Sequence, residues 1–374
     1  MLLKVTGVIV IINAIGIIQK TILVKAIDFK TQTKASLISS LLSGWAGITA
    51  AILGWGVWSL VIQQVLRQLL YTIVIWYFSK WMPSLKFSYS SLKDLFGFGW
   101  KLLASGLIET VWKEINQVVI GRYYKMYALG QYTRAKQFSD GVTYGLLTVI
   151  QRVTFPSLSL VQDDEERLRN VLRKIIKMSM YVLTPCVVGL AACADSLLDV
   201  LVGPQWKDAA YYLQLICMGI ILSPIIILDQ NILQVKKNSG RLLILNIVRK
   251  VFAIIPILFG IYISVEAMLI SDIVVTYLVS TPLTIYYSTQ KYLKYGVIDH
   301  IFDLIKILVA SFFMGGAVYA LIFLNLSSII TLILQILAGI VLFILLSWVM
   351  RIDEFIELKV ILTPYVRKWR KIQF

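Results

Sequence analysis

Six polar residues, Lys101, Ser105, Glu109, Lys113, Asn116 and Gln117, recur every three or four positions inside an otherwise apolar stretch, Phe96 to Ile120. That spacing gathers them on one face of a helix. Cations on such a face can hold phosphate or acidic sugars, amides can hold hydroxyls, and Glu109 can pair with Lys113 at i,i+4. Exposing the stripe to lipid would cost about 3 kcal/mol per charge at mid-depth, so it must face protein or a water-filled cavity. A structural Glu109–Lys113 bridge alone would leave Lys101, Glu114 and the amides unexplained, which favours the cavity.

Four further apolar stretches carry polar groups: Gln63, Gln64, Arg67 and Gln68; Asp140, Tyr144, Gln151 and Arg152; Asp229, Gln230, Asn231 and Gln234; and Asn246, Arg249 and Lys250. Spread over several elements, they suit a large polar cargo better than a single ion. Arg67, Lys101, Lys113, Arg152 and Arg249 are candidate contacts for phosphate, and Glu109, Asn116, Gln117, Tyr144 and Asn231 complete the candidate substrate-binding set. Taken singly, Arg152, Arg249 and Lys250 could instead snorkel to a nearby helix end. Acids that could carry a coupling proton or sodium ion are Glu109, Glu114, Asp140, Asp229 and Asp272, with Asp140 and Asp229 as the main candidates. Each could equally be a carboxylate neutralised by a structural partner.

Three other features have plainer readings. The run Asp163-Asp164-Glu165-Glu166 precedes a helical segment from Arg167, where acids cap the first turn and complement the dipole. Cys186, Cys193 and Cys217 match no zinc or redox spacing and read as packing residues. The lone His300, beside Asp299 and Asp303, reads as a solvated loop imidazole. One His and three Cys leave little inventory for zinc or histidine-based catalysis, so no metal and no cofactor is expected beyond a coupling ion.

The elements that must position these residues follow from composition. The chain has 374 residues, 59% hydrophobic and 15% charged, with a mean hydropathy of +0.81. Soluble domains are nearer half apolar and a quarter charged, so the excess must face lipid. Eleven stretches are long enough to span: Val5 to Val24, Leu37 to Val57, Trp58 to Phe78, Phe96 to Ile120, Gly141 to Leu160, Ile175 to Ala194, Tyr211 to Val235, Leu242 to Ile263, Ala267 to Tyr287, Leu304 to Leu324 and Ile329 to Val349. The alternation of β-barrel strands is missing, so the expected class is all-α, polytopic and membrane-embedded. Met1 to Ile18 lacks a small-residue cleavage site and reads as a spanning helix rather than a signal peptide.

Of 36 Lys and Arg, 25 fall in loops or ends on one side of these spans, six on the other and five within helices. The basic side is cytoplasmic by the positive-inside rule, which puts the C-terminus inside and the N-terminus outside. The formal charge of +16 is thereby explained without nucleic acid, and the tail from Arg367 to Lys371 would sit near anionic membrane lipid. The polar stretch Ser79 to Leu95 separates three spans from eight and is the candidate hinge. Pro185, Pro224, Pro256 and Pro282 interrupt four spans, a habit of cavity-lining transporter helices, although membrane helices carry more Pro in general.

Several runs carry a family resemblance: Ala26-Ile27-Asp28-Phe29-Lys30, Gly54-Trp55-Gly56-Val57-Trp58-Ser59-Leu60-Val61 and Phe96-Gly97-Phe98-Gly99-Trp100-Lys101-Leu102. Further along come Ile120-Gly121-Arg122-Tyr123-Tyr124, Leu129-Gly130-Gln131-Tyr132-Thr133-Arg134-Ala135, Phe155-Pro156-Ser157-Leu158-Ser159 and Gly203-Pro204-Gln205-Trp206. From about Ile22 to Arg249 the chain resembles Wzx-type polysaccharide flippases, the colanic-acid and teichuronic-acid exporter branch of the multidrug/oligosaccharidyl-lipid/polysaccharide exporter superfamily. The resemblance implies a bacterial cytoplasmic (inner) membrane exporter with two six-helix lobes plus two helices, flipping undecaprenyl-pyrophosphate-linked oligosaccharide for cell-surface polysaccharide or lipopolysaccharide. Polysaccharide polymerase and glycosyltransferases are its candidate partners. The first helix here aligns with the family's fourth, which implies that about three N-terminal helices are lacking. The expected division is then 1–85 as the remainder of the N-terminal lobe with three spans, 86–300 as the six-helix C-terminal lobe, and 301–374 as two additional spans with a basic tail.

The leading expectation is a non-enzymatic flippase working by alternating access in a partial two-lobe bundle. A drug/cation antiporter of the same superfamily would need surplus carboxylates in its cavity. A membrane glycosyltransferase or polymerase would need acidic or Arg-rich catalytic loops, whereas the longest expected outer loop, Arg122 to Gln137, has no Asp or Glu. An inactive truncated relic is the structural alternative.

Overall fold

The computed structural model describes residues 2–25, 28–79, 88–236, 238–324 and 326–358. Among the described residues the structure is helical, with no strand. Two compact units emerge, Met1–Leu102 and Leu103–Phe374.

The first unit holds α1 (Leu2–Lys25), α2 (Phe29–Ile52), α3 (Val57–Ser79) and the start of α4 (Tyr89–Tyr123), within which the division falls. Asp28 starts α2 by accepting from the Thr31 amide at 3.0 Å and the Thr31 hydroxyl at 2.6 Å, and these bonds hold its carboxyl below the usual carboxylate range. A turn with Gly54 at φ +81° and Gly56 at φ +51° returns the chain into α3, a left-handed backbone open to glycine. The α3 helix packs on both α1 and α2. Trp76 donates to the Ile15 carbonyl at 3.2 Å, and Gly16 lets Thr72 approach closely. Outward apolar residues such as Val10, Leu41 and Trp45 stay exposed, as a lipid-facing bundle requires. Most of the candidate hinge, residues 80–87, lies outside the described residues.

The second unit continues through α5 (Met126–Ser159), α6 (Glu165–Ala192), α7 (Ala194–Val202), α8 (Lys207–Ile220), α9 (Ser223–Val235), α10 (Ser239–Phe252), α11 (Ile254–Tyr262), α12 (Val265–Val275), α13 (Thr281–Ile285), α14 (Lys291–Leu293), α15 (Val297–Ala320) and α16 (Ser328–Val349). Its core is built on α6. Leu168, Leu172, Ile176, Met180, Leu183 and Val187 recur every three or four residues and are sealed from solvent. Asp164 caps α6 by accepting from the Arg167 amide at 2.9 Å, with Glu165 and Glu166 in the first turn, so the acidic run is a cap, as its position implies.

Two of the four prolines, Pro224 and Pro256, follow helix breaks, whereas α6 runs unbroken through Pro185 and the helical turns continue through Pro282. Pro185 lies inside α6, Pro224 and Pro282 sit in the first turns of α9 and α13, and Pro256 follows the break at Ala253 that separates α10 from α11. Single π-helical turns, Thr276–Ser280 and Tyr286–Gln290, flank α13. The α15 and α16 helices pack with α6 and α7 in the second unit.

Among the described residues nine helical stretches are long and apolar enough to cross a membrane, with α8–α9, α10–α11 and α12–α14 each forming one stretch. The remaining two expected spans correspond to α4 and α5, which at 35 and 34 residues are long enough but carry too many polar groups to qualify by composition. One expectation is corrected. The segment Arg122 to Gln137 is not a loop, because α5 already begins at Met126 and buries Gln131, Tyr132 and Ala135 on one side. The chain is a polytopic, all-helical membrane protein.

Candidate functional site

Within the second unit, α4 and α5 face each other with polar groups. Lys136 of α5 pairs with Glu114 of α4 at 2.8 Å and also reaches the Lys113 carbonyl at 3.4 Å. Gln117, one turn on from Glu114, donates to the same carboxylate. Asn116 bonds Tyr132, which is only 4% exposed, and Asp140, Asp272 and Glu114 lie close enough to act on that phenol electrostatically. The Lys113 ammonium stands 5.9 Å from the Tyr144 ring, within cation–π range. Lys250 of α10 stands 5.8 Å from the ring of Trp112 on α4. Arg249 beside it is half-buried and leaves its Nε without a partner. The result is a face of cations, amides and aromatic rings, a lining whose chemistry is complementary to phosphate and hydroxyl groups.

The N-terminal end of α5 is fixed by Gln131, which donates to the Gln205 carbonyl at 2.8 Å and accepts from the Ala209 amide at 2.9 Å. Arg134 lies 4.7 Å from the Trp206 ring, and Gly203 supplies the φ of +95° that the Gly203-Pro204 turn needs.

An apolar cavity of about 920 Å³ runs beside this core between α6, α15 and α16. Tyr181, Pro185, Met314, Val318 and Phe343 line it, and Val142 of α5 reaches its edge. Gly315 brings α15 so close to α6 that a Cβ there would meet Val188 Cγ1 at 2.4 Å. Gln335 donates to the Val318 carbonyl at 3.2 Å and is the cavity's one buried amide. A long dry groove of this kind accommodates a hydrocarbon chain.

A second polar cluster joins α9 to α15. Asp229 is fully buried, with Thr289 Oγ1 at 3.3 Å and His300 Nε2 at 3.6 Å from the same carboxylate oxygen. His300 is therefore not the solvated imidazole expected from its acidic neighbours; it is 2% exposed and stacks on Tyr295 at 3.9 Å between ring centroids. The helix starts at Val297, three residues earlier, which turns His300 inward while Asp299 caps the Gly296 amide at 2.8 Å. Tyr295 donates to Asp303 at 2.8 Å, and Arg173 of α6 grips the same carboxylate through two nitrogens. Burial and this bond to a carboxylate push the Tyr295 phenol up.

Of the sequence-derived candidates, the structure thus brings together Lys113 with Tyr144 and sets Asn116, Gln117 and Asp140 around the α4–α5 contact. Asp229 pairs with His300, and Asn231 on the same helix is buried with an unpartnered Nδ2. Arg67 is exposed on α3 in the first unit. The side chains of Lys101, Glu109 and Arg152 lie outside the described residues, and with them the Glu109–Lys113 pair. Lys136, Tyr132 and His300 were missed, since their partners are 22, 16 and 71 positions away in the chain and no spacing rule reaches that far. Cys193 and Cys217 are buried as packing residues, whereas Cys186 is exposed where it lines the apolar cavity, and among the described residues no group of three His, Cys, Asp or Glu could hold a metal.

An all-helical membrane bundle of this arrangement has the fold of lipid-flippase proteins: over 94% of this chain and 74% of the other, it superposes on the lipid II flippase MurJ in an inward closed conformation, with a TM-score of 0.71 and 18% identity. The chain belongs to the polysaccharide biosynthesis protein family, which it matches over residues 1–211. It is similar to the succinoglycan biosynthesis transport protein ExoT of Rhizobium meliloti (26% identical over 58% of this chain and 44% of ExoT). It is also similar to the teichuronic acid biosynthesis protein TuaB of Bacillus subtilis (28%, over 59% and 46%) and the lipopolysaccharide biosynthesis protein WzxC of Escherichia coli (26%, over 46% and 36%). The chain thus spans less than half the length of these curated relatives.

Proposed function

We propose that this chain takes part in carrying undecaprenyl-pyrophosphate-linked oligosaccharide across a bacterial cytoplasmic membrane, as a flippase working by alternating access. The observation that carries the reading is one unit offering two surfaces of opposite chemistry: the cation, amide and aromatic face of α4 and α5, and the dry groove of about 920 Å³ between α6, α15 and α16. An amphiphile with a phosphorylated sugar head and a long hydrocarbon tail needs both. Membership of a polysaccharide biosynthesis family supports the cargo class, and a flippase fold supports movement rather than glycosyl transfer. Lys113 and Arg249 are the described cations proposed to meet pyrophosphate, with Asn116, Gln117, Tyr144 and Asn231 meeting the sugar; Lys101, Glu109, Arg152 and Arg67 extend the proposed set. The coupling ion is a proton or sodium, with Asp140 and Asp229 as its sites. In this reading the C-terminus is cytoplasmic, which the basic loops support, and residues 1–85, 86–300 and 301–374 are the proposed lobe remainder, six-helix lobe and appended pair.

The test is export of surface polysaccharide in cells that depend on the complete gene product, comparing wild type with Lys113→Glu at matched membrane levels. Charge reversal should abolish export. Undiminished export by Lys113→Glu would remove the α4–α5 face from the cargo path.

A further inference from the structure

The Asp229–His300 contact contains a geometric requirement for a proton. His300 Nδ1 lies 2.8 Å from the Gly296 carbonyl oxygen, which can only accept, so Nδ1 must carry hydrogen. In a neutral imidazole that leaves Nε2 as a bare lone pair. Nε2 faces Asp229 Oδ2 at 3.6 Å, and the carboxylate is sealed from solvent. An ionised carboxylate opposed to a lone pair in a dry core would be repulsive and uncompensated. The contact is attractive with a proton in it, as imidazolium donating to carboxylate or as carboxylic acid donating to Nε2.

We propose that Asp229 and His300 together form a binding site for one exchangeable proton in the core of the second unit, and that its release loosens α9 from α15. Two further observations point the same way. Asp229 Oδ1 has no hydrogen-bond partner, so no second donor steadies a free carboxylate there. Thr289 Oγ1 also bonds the Ile285 carbonyl at 3.3 Å, which divides its single hydrogen between that oxygen and Asp229. The pair is connected to the surface: His300 stacks on Tyr295, Tyr295 donates to Asp303, and Asp303 meets Arg173, which is 45% exposed.

The charged and titratable groups around the pair are Tyr295 on the connecting segment, Asp299 and Asp303 on α15, and Arg173 and Lys177 of α6 acting through Asp303. Arg241 of α10 is turned aside to Tyr292. None of these can supply the missing hydrogen at Nε2, since Asp303 is taken by Arg173 and Tyr295 and Asp299 by the Gly296 amide. This deepens the coupling reading above by selecting the proton over sodium at Asp229, and it rests on that reading only for its role in transport.

The chain has a single histidine, so its imidazole can be observed alone. The experiment is ¹⁵N NMR of the full chain in detergent, labelled only in histidine, from pH 6 to 9, together with infrared spectra of the carboxylic acid carbonyl band. At pH 7.5 wild type should show either a doubly protonated ring or a protonated carboxyl that disappears in Asp229→Asn. Between the pH at which an unfolded imidazole loses its proton, about 6.5, and the higher pH at which the folded pair loses its own, the folded-to-unfolded ratio should fall up to tenfold per pH unit, because the folded state there holds one proton that the unfolded chain does not, and above that pH the ratio should level off. A neutral Nδ1–H ring beside an ionised Asp229 at pH 7.5 would overturn the proposal. Should Asp229→Asn fail to fold, the wild-type ring and carbonyl signals decide the matter alone. Because these signals do not depend on transport, a proton found without export would fail the flippase reading and leave the site standing.

Discussion

α6 and α15 approach closely at Gly315, and Gly315→Ala tests that approach directly. A Cβ at 315 would lie 2.4 Å from Val188 Cγ1, about 1 Å inside the closest ordinary contact. Val188 is 3% exposed and β-branched on a helix, so its χ1 cannot swing away freely. The overlap must be relieved by shifting a helix or an eclipsed rotamer, which costs about 1–3 kcal/mol for overpacking. At about 2–4 °C per kcal/mol for a body of this size, the thermal midpoint of the purified protein in detergent should fall by several degrees. Val188→Ala alone removes two buried methyl groups, roughly 1.6 kcal/mol at about 0.8 each. The double variant puts the new methyl where the old one was and should be more stable than Gly315→Ala, although both single changes destabilise. Equal midpoints for wild type and Gly315→Ala would refute the close approach, as would a double variant carrying the full sum of the single losses.

Three other outcomes follow from the packing. Gln131→Ala leaves the Gln205 carbonyl and the Ala209 amide without their partner and should cost about 1–3 kcal/mol of stability per group, read as a lower thermal midpoint, while Gln131→Glu, which keeps only the acceptor, should fall between. Lys136→Met should destabilise more than Lys136→Met with Glu114→Gln, because the single change strands a carboxylate; Glu114 is 39% exposed, so the difference is about 1 kcal/mol. Asp28 has its carboxyl held below the usual range by Thr31, so the start of α2 is secured above pH about 4 and loosens as pH falls through the lowered value. Faster hydrogen exchange at the Thr31 amide in acid, reproduced at neutral pH by Asp28→Ala and prevented by Asp28→Asn, checks that sign.

The elements that depend on local rules were legible in the residues. Long apolar runs became helices, Asp164 capped α6, and Pro224 and Pro256 marked real breaks, because each signal acts within a turn or two. What was not legible needed the tertiary fold. His300 sits among acids that suggest a wet loop, and only the packing of α15 on α6 and the π-turn before it turns the ring onto Asp229. Arg122 to Gln137 looked like a loop because it is polar, yet its polarity serves helix contacts: Lys136 to Glu114, Tyr132 to Asn116, Gln131 to the Gly203-Pro204 turn.

These contacts separate the described charges of the second unit by what remains unsatisfied. Glu114 with Lys136, Asp303 with Arg173 and Glu354 with Lys177 are matched across helices at hydrogen-bonding distance, and such pairs lock neighbours in register. Among the described residues Lys113 and Lys250 have rings beside them but no carboxylate at contact, and Arg249 keeps a buried Nε unmet. A cation left in that state inside a membrane bundle retains its affinity for an anion. The same logic demotes Glu114 and Lys136, despite their central position, to the scaffold that holds Lys113 toward Tyr144. It makes variants of the proposed cargo contacts Lys113 and Arg249 separable from folding variants at Lys136: the former should lower export at an unchanged thermal midpoint, and the latter should lower both.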